Sequence, residues 1–536
     1  MVDRATGDHP PGEGATRSLD SLSPEQHRIL AYASAIGSEF DFPLLLGAMG
    51  VGEEALAEEV EQLVHVGVLS ERAGGERFAF AEEEFRARIY RSLTESRLRV
   101  LHRKIGEVLE RTHPNPTLPV LTELGRHYFL GKVPTKSYEY NRRAAELARA
   151  AGEPETATHA FERVLLDLAS LPGDHRNERV EVGETLGNLY YSIGNLHSAD
   201  LRFTEALERL GTGSPRVRAR LLLSRAEVAR ESLDLDTAVT RGTEALRLFE
   251  SVDDRLGRGQ AHRLLGRVAW LRGAYWDSLE ECKRALDLVE TSDDPRFLGS
   301  LSIDIGNVFA VLGPEVRDVT IEWYERAIER LDHTGDRGEL ARAYYNLGTT
   351  IGEVSPQDAL EYLEKGRLAA ERAHDSRGVV RALLSGVEFL LALGQVEDAE
   401  RDNEQAGRLL EHISDELATA WVQLDRGLIA ERRGLWDEAE VAYEKTVELC
   451  RRFQLPADEA EGAFRLANLR YKTRNPEGAR QAYAIALDLG LGQLRPQLAG
   501  PFLELGRQLG LVPPTSTREA APSRAGPAEP SDGRGL

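Results

Sequence analysis

Cysteine is almost missing from this chain: Cys282 and Cys450 are the only two in 536 residues. Two thiols far apart in sequence build neither a disulfide framework nor a zinc site, and buried thiols in a reducing compartment are the expectation. Long apolar runs are missing too. No stretch reaches the roughly eighteen to twenty residues that a membrane span needs, and the opening MVDRATGDHPPGEG has neither the basic start nor the apolar core of a leader. A cytoplasmic protein with no membrane contact is expected. Lysine is scarce, with seven among the 67 basic residues, and 89 acidic residues leave a net charge of -22. That balance opposes wholesale binding to nucleic acid or anionic lipid. No H-E-x-x-H, C-x-x-C, G-x-S-x-G or G-x-G-x-x-G occurs, and Gly131-Lys132 has neither the upstream glycine nor the hydroxyl residue of a phosphate loop. The thirteen histidines are scattered, with His102 and His127 on helices whose neighbours are apolar. Catalysis, a metal and a cofactor are therefore not expected.

What is present is a repeat. A position that is small in all but one case recurs as Ala145, Gly187, Ala226, Gly266, Gly306, Gly348, Val387, Gly427 and Ala467, in steps of 42, 39, 40, 40, 42, 39, 40 and 40 residues. About twelve residues later a second small residue follows, as at Ala157, Ala199, Ala238, Ala399, Ala439 and Ala479, and often four further on an aromatic: Phe161, Phe203, Tyr324, Tyr443 or Tyr483. Small residues let two helix backbones approach, and an aromatic is expected to fill the hole between neighbouring pairs. Gly152, Gly194, Gly273, Gly313, Gly394 and Gly434 stand where the first helix of each unit must end. The pattern predicts antiparallel helix pairs stacked in a row, none able to bury its apolar face alone.

From Tyr138 to about Gly490 these residues resemble tetratricopeptide (TPR) repeats of the long, about forty-residue variety. The resemblance implies a mainly all-α fold: a TPR-like α-solenoid, a right-handed superhelix of about nine helical hairpins plus a capping helix near Leu494 to Leu509. The expected domains are a disordered tail at 1–20, a winged-helix-like domain at 21–95, bridging helices at 96–135, the repeat array at 136–510 and a second disordered tail at 511–536.

The N-terminal domain reads as three helices and a wing. Ser23-Pro24-Glu25 is an N-cap with proline in the first turn, short helices follow over Phe42–Met49 and Glu53–His65, and apolar runs flank a hairpin turn at Arg72 to Glu76. Phe80, Ile89, Tyr90, Leu93, Arg97, Leu101, His102, Ile105 and Leu109 stand at intervals resembling the segment that joins winged helix to helical repeats in STAND-type regulatory ATPases. Those relatives have His two places after the aromatic, where this chain has Glu82, and carry an ATPase before the winged helix, where only about twenty residues precede it here. A separate ATPase or kinase is thus a candidate partner. The third helix carries Glu53, Glu54, Glu58, Glu59 and Glu61 without Lys or Arg, which argues against DNA. Basic residues gather instead at Arg86, Arg88, Arg91, Arg97, Arg99, Arg103 and Lys104, as solvated charge or in contact with that acidic helix.

In such arrays the first helices line the concave surface, and residues not needed for packing face the groove. These are Asn188, Asn307 and Asn468 directly after the small position, Arg267 in the same place, Asn346 two before it, Arg220, Arg263, Arg342 and Arg381 three or six before it, and the aromatics Tyr191 and Trp270 four after. Asn can grip a peptide amide with donor and acceptor together, and Arg takes carboxylates with a bidentate fork. Arginines gathered on one strip of an acidic chain would reverse the local sign. The expected function is a non-enzymatic adaptor or sensor binding an extended, acidic protein segment. The alternatives are a transcriptional regulator whose winged helix touches DNA and a purely structural assembly factor.

Overall fold

The computed structural model describes residues 22–72, 76–290, 294–352, 354–413, 415–495 and 498–511. The two expected tails, Leu511 apart, and the centre of the hairpin turn, Ala73 to Gly75, lie outside these residues.

The head begins with α1 (Pro24–Ile36), whose cap is the expected one: Ser23 Oγ accepts from the Gln26 amide and Gln26 Oε1 accepts from the Ser23 amide, both at 3.0 Å. Then come β1 (Glu39–Asp41), α2 (Phe42–Met49), α3 (Glu53–His65), β2 (Leu69–Arg72) and β3 (Arg77–Phe80). The expected wing is therefore three strands, in the antiparallel order β1-β3-β2. Leu30, Leu45, Leu56, Leu63 and Leu69 are fully buried among these elements.

Three helices lead out of the head: α4 (Glu83–Ser92), α5 (Glu95–Thr112) and α6 (Leu118–Leu130). Two arginines satisfy carbonyls that the last turn of α1 leaves without an intrahelical partner. Arg86 of α4 donates to Ser34 O at 3.0 Å, and Arg126 of α6 to Ile36 O at 2.6 Å.

Nine helix pairs follow. They are α7 (Pro134–Ala151) with α8 (Pro154–Ser170), α9 (Arg176–Ser192) with α10 (Leu196–Leu210), α11 (Pro215–Glu231) with α12 (Leu235–Ser251), and α13 (Arg255–Leu271) with α14 (Tyr275–Val289). Next are α15 (Pro295–Leu312) with α16 (Arg317–Leu331), α17 (Arg337–Ile351) with α18 (Pro356–Arg372), α19 (Ser376–Ala392) with α20 (Val396–Leu410), α21 (Glu416–Arg433) with α22 (Trp436–Arg452), and α23 (Pro456–Lys472) with α24 (Pro476–Asp488). This is a TPR-like α-solenoid. The chain forms two compact units, divided after Val268 inside α13.

Every one of the nine recurring positions lies on a first helix and is buried. The aromatic fills a hole within its own pair, not between neighbouring pairs as the spacing suggested: a Cβ on Gly187, Gly306 or Gly427 would strike the ring of Phe203, Tyr324 or Tyr443 on the partner helix. Six glycines seven residues on, from Gly152 to Gly434, have positive φ as the turn requires, and Leu233 and Arg474 adopt it at the same register without being glycine. Asp and Asn cap many helices, among them Asp294, Asp375, Asp415 and Asn475, each accepting a backbone N–H at 3.0 Å. The single capping helix expected from Leu494 to Leu509 is instead two, α25 (Leu491–Leu494) and α26 (Ala499–Gln508). Arg495, before Pro496, has φ -134 and ψ 76 because proline drives its predecessor out of the helical region.

Candidate functional site

Within each unit the first helices of successive pairs meet side by side, and their polar residues form rungs one repeat apart. In unit 1, Arg220 of α11 forks onto Glu184 of α9 at 2.9 and 2.7 Å. Tyr191 of α9 donates to Glu231 of α11 at 3.1 Å, and Arg267 of α13 lies 3.6 Å from Glu227 of α11. Burial, with Glu227 and Glu231 close by, pushes the Tyr191 phenol above its usual range. Asn188 is exposed and Arg263 half-buried.

In unit 2, Asn307 Oδ1 accepts two bonds, from Tyr324 Oη at 2.9 Å and from Asn346 Nδ2 at 2.8 Å. The oxygen that could meet a ligand amide is thus engaged by the fold. Arg342 of α17 sits 2.7 Å from Glu339 and 3.5 Å from Asp304 of α15. Trp270 and Arg381 are exposed and Asn468 is half-buried. Arg220, Arg267 and Arg342 therefore do not make the uncompensated positive strip that their spacing suggested, because each has a carboxylate of the preceding first helix within reach. Those carboxylates, Glu184, Glu227 and Asp304, were missed; opposite charges 36 to 40 residues apart in a forty-residue repeat were the available signal.

Three polar site residues remain uncommitted. The side chains of Asn188, Arg381 and Asn468, on three different first helices, make no hydrogen bond or ion pair with the described residues.

The head gathers no such face. Arg86, Arg91 and Arg99 pair with Glu83, Glu84 and Glu95 of their own helices, and the outward side of α3 remains acidic. Tyr90 and His102 do meet: Tyr90 Oη and His102 Nε2 are 2.9 Å apart, and His102 Nδ1 lies 2.9 Å from Nδ1 of His127, so one imidazole nitrogen must donate and the other accept. Burial first, then the neighbouring His127 and Arg126, hold His102 down at about 3. Burial would raise Glu123, yet hydrogen bonds from His127 and Arg126 hold its carboxyl at about 2. Both cysteines are buried, and burial pushes the Cys450 thiol up to about 12. No group of three or more His, Cys, Asp or Glu among the described residues is placed to hold a metal, and no described helix is long and apolar enough to cross a membrane.

No protein-family model and no curated protein matches this chain. Solved structures do. The apo form of the quorum sensor NprR from B. thuringiensis superposes with a TM-score of 0.50 at 11% identity, over 66% of this chain and 98% of NprR. A STAND protein with a tetratricopeptide repeat sensor from Pyrococcus horikoshii gives 0.47 at 14%, over 83% of this chain and 66% of that one. A Rap protein complexed with competence and sporulation factor gives 0.48 at 15%, over 68% and 100%. At such identities the likeness concerns the fold.

Proposed function

We propose that this protein is a non-enzymatic adaptor or sensor, acting in the cytoplasm, whose first-helix faces bind an extended segment of a protein or peptide. The observation that carries the reading is the division of labour among equivalent positions. At the register just after the small residue, Asn307 is locked into a rung while Asn188 and Asn468 are not, although all three are the same residue type. Rungs committed to the fold keep the face rigid, and uncommitted carboxamides offer a donor and an acceptor to a passing backbone. The fold is one that a quorum sensor, NprR, also uses.

Acidic side chains on the segment suit Arg381 of unit 2, which is exposed and unpaired among the described residues. The domain limits 21–95, 96–135 and 136–510 belong to the same reading, with the head as a docking module for a separate ATPase or kinase rather than for DNA. The test is to pan the full chain against random twelve-residue segments displayed on phage, and to titrate synthetic copies of those enriched into the wild type and into Arg381→Glu and Asn468→Leu. Enriched segments that bind all variants equally would refute the first-helix face as the site.

A further inference from the structure

One rung of unit 2 differs from two others in the same unit. Two residues before the small position, Asp304 reaches Arg342, which stands six before the small position of the next repeat. At that same place Asn346 reaches Asn307, one after the small position of the preceding repeat. Asp425 of α21 holds the equivalent position, and its two counterparts are Glu461 of α23 and Glu388 of α19. Where those two rungs supply a cation or an amide, this one supplies two more carboxylates.

The surroundings do not make up the deficit. Arg465 of α23 lies 3.1 Å from Glu461 and 4.0 Å from Glu388, and Arg495 lies 3.4 Å from Glu461 and 2.8 Å from Asp458. Four carboxylates thus face two guanidinium groups, and Asp425 itself, only 8% exposed, makes no hydrogen bond or ion pair with the described residues. The side chain of Glu388 is 72% exposed, whereas Asp425 is buried. Burial, then Glu388 and Glu461, push the Asp425 carboxyl well above the ordinary range, against the pull of Arg465. A buried carboxylate without a partner is costly unless a cation or a proton joins it.

We propose that Asp425, with Glu388 and Glu461, is a receptor for one basic side chain, a lysine or an arginine, of the segment held on the first-helix face. The inference rests on the peptide-binding reading and adds to it: the segment carries acidic groups for Arg381 and a basic one for the neighbouring first helix. The basic group supplies the counter-charge that Asp425 lacks, and the exposed Glu388 draws it in.

The test uses the full chain and the displayed twelve-residue library. Segments enriched by the wild type should carry Arg or Lys at one fixed position in a shared frame. A synthetic copy should lose at least about tenfold in affinity when that residue becomes Gln or when Asp425→Asn is made, with no further loss when both are changed. Because Asp425→Asn removes a buried carboxyl without a partner among the described residues, it should fold at least as well as the wild type; Glu388→Gln, at an exposed side chain, should give a smaller loss in the same direction. Enriched segments with no basic preference, or with equal affinity for the wild type and Asp425→Asn, would overturn the cation receptor while leaving the peptide-binding face standing. A library that yields no segment at all would overturn both.

Discussion

Two glycine-to-alanine substitutions in unit 2 should act with opposite sign. On Gly306 of α15 the new Cβ would stand 2.6 Å from Cε1 and 2.8 Å from Cδ1 of Tyr324. That ring cannot swing aside cheaply, since Tyr324 is buried and its hydroxyl is bonded to Asn307. Overpacking of this kind costs about 1–3 kcal/mol, against about 1 kcal/mol gained by alanine over glycine in a helix interior. The expected net is a loss of about 1 kcal/mol, rising to ~2 if the pair cannot spread. On Gly386 of α19 the Cβ meets only Leu360 Cδ2 at 3.5 Å, an ordinary contact, so the helical gain of about 1 kcal/mol stands alone. Repeat arrays open locally, so native-state hydrogen exchange of the amides in α15 and α16 against those in α18 and α19 is the suitable assay. Slower exchange in α15 and α16 of Gly306→Ala would refute the close-packed small-over-aromatic arrangement.

Leu233→Gly should stabilise by about 0.5–1 kcal/mol, because Leu233 has φ 59 and is 71% exposed, so relief of left-handed strain is not offset by lost packing; urea midpoints measure it. Acid should loosen unit 1 at the junction of α4, α5 and α6. The folded chain holds His102 at about 3 and His127 below its usual value, so the unfolded chain takes up protons first and stability falls as pH drops below about 6.5 toward 3, at up to ~1.4 kcal/mol per pH unit for each histidine. Urea midpoints taken from pH 7 to pH 4 should fall, and should fall less in His102→Gln. Asp425→Asn should raise stability at pH 7, because a carboxyl held above its unfolded value weakens the fold as pH rises past that unfolded value; unchanged melting at pH 7 would count against a lone carboxylate there. Cys450 should resist a thiol reagent until the chain unfolds, since it is buried and its thiol is held up at about 12.

Much of the fold could be read from spacing because a repeat states its rule nine times over. The short helices Phe42–Met49 and Glu53–His65 were readable from local patterning alone, and they appear within those limits. Strand β1 was not, since three residues, Glu39–Asp41, carry too little period to register and owe their pairing to β3, about forty residues downstream. The electrostatics of the first-helix residues were misread. Arg220 looks free when its helix is taken singly, and only stacking brings Glu184 beside it. Asp425 is the converse: an acidic residue in an acidic chain attracts no notice until its neighbours across the stack prove to be acidic too.

Hydrogen exchange of the full chain, with and without a saturating synthetic copy of an enriched segment, tests most directly whether the first helices form a receptor surface. Protection should fall on amides of the first helices α19, α21 and α23 and spare the second helices α20, α22 and α24. Protection confined to the second helices, or to the head, would contradict the account.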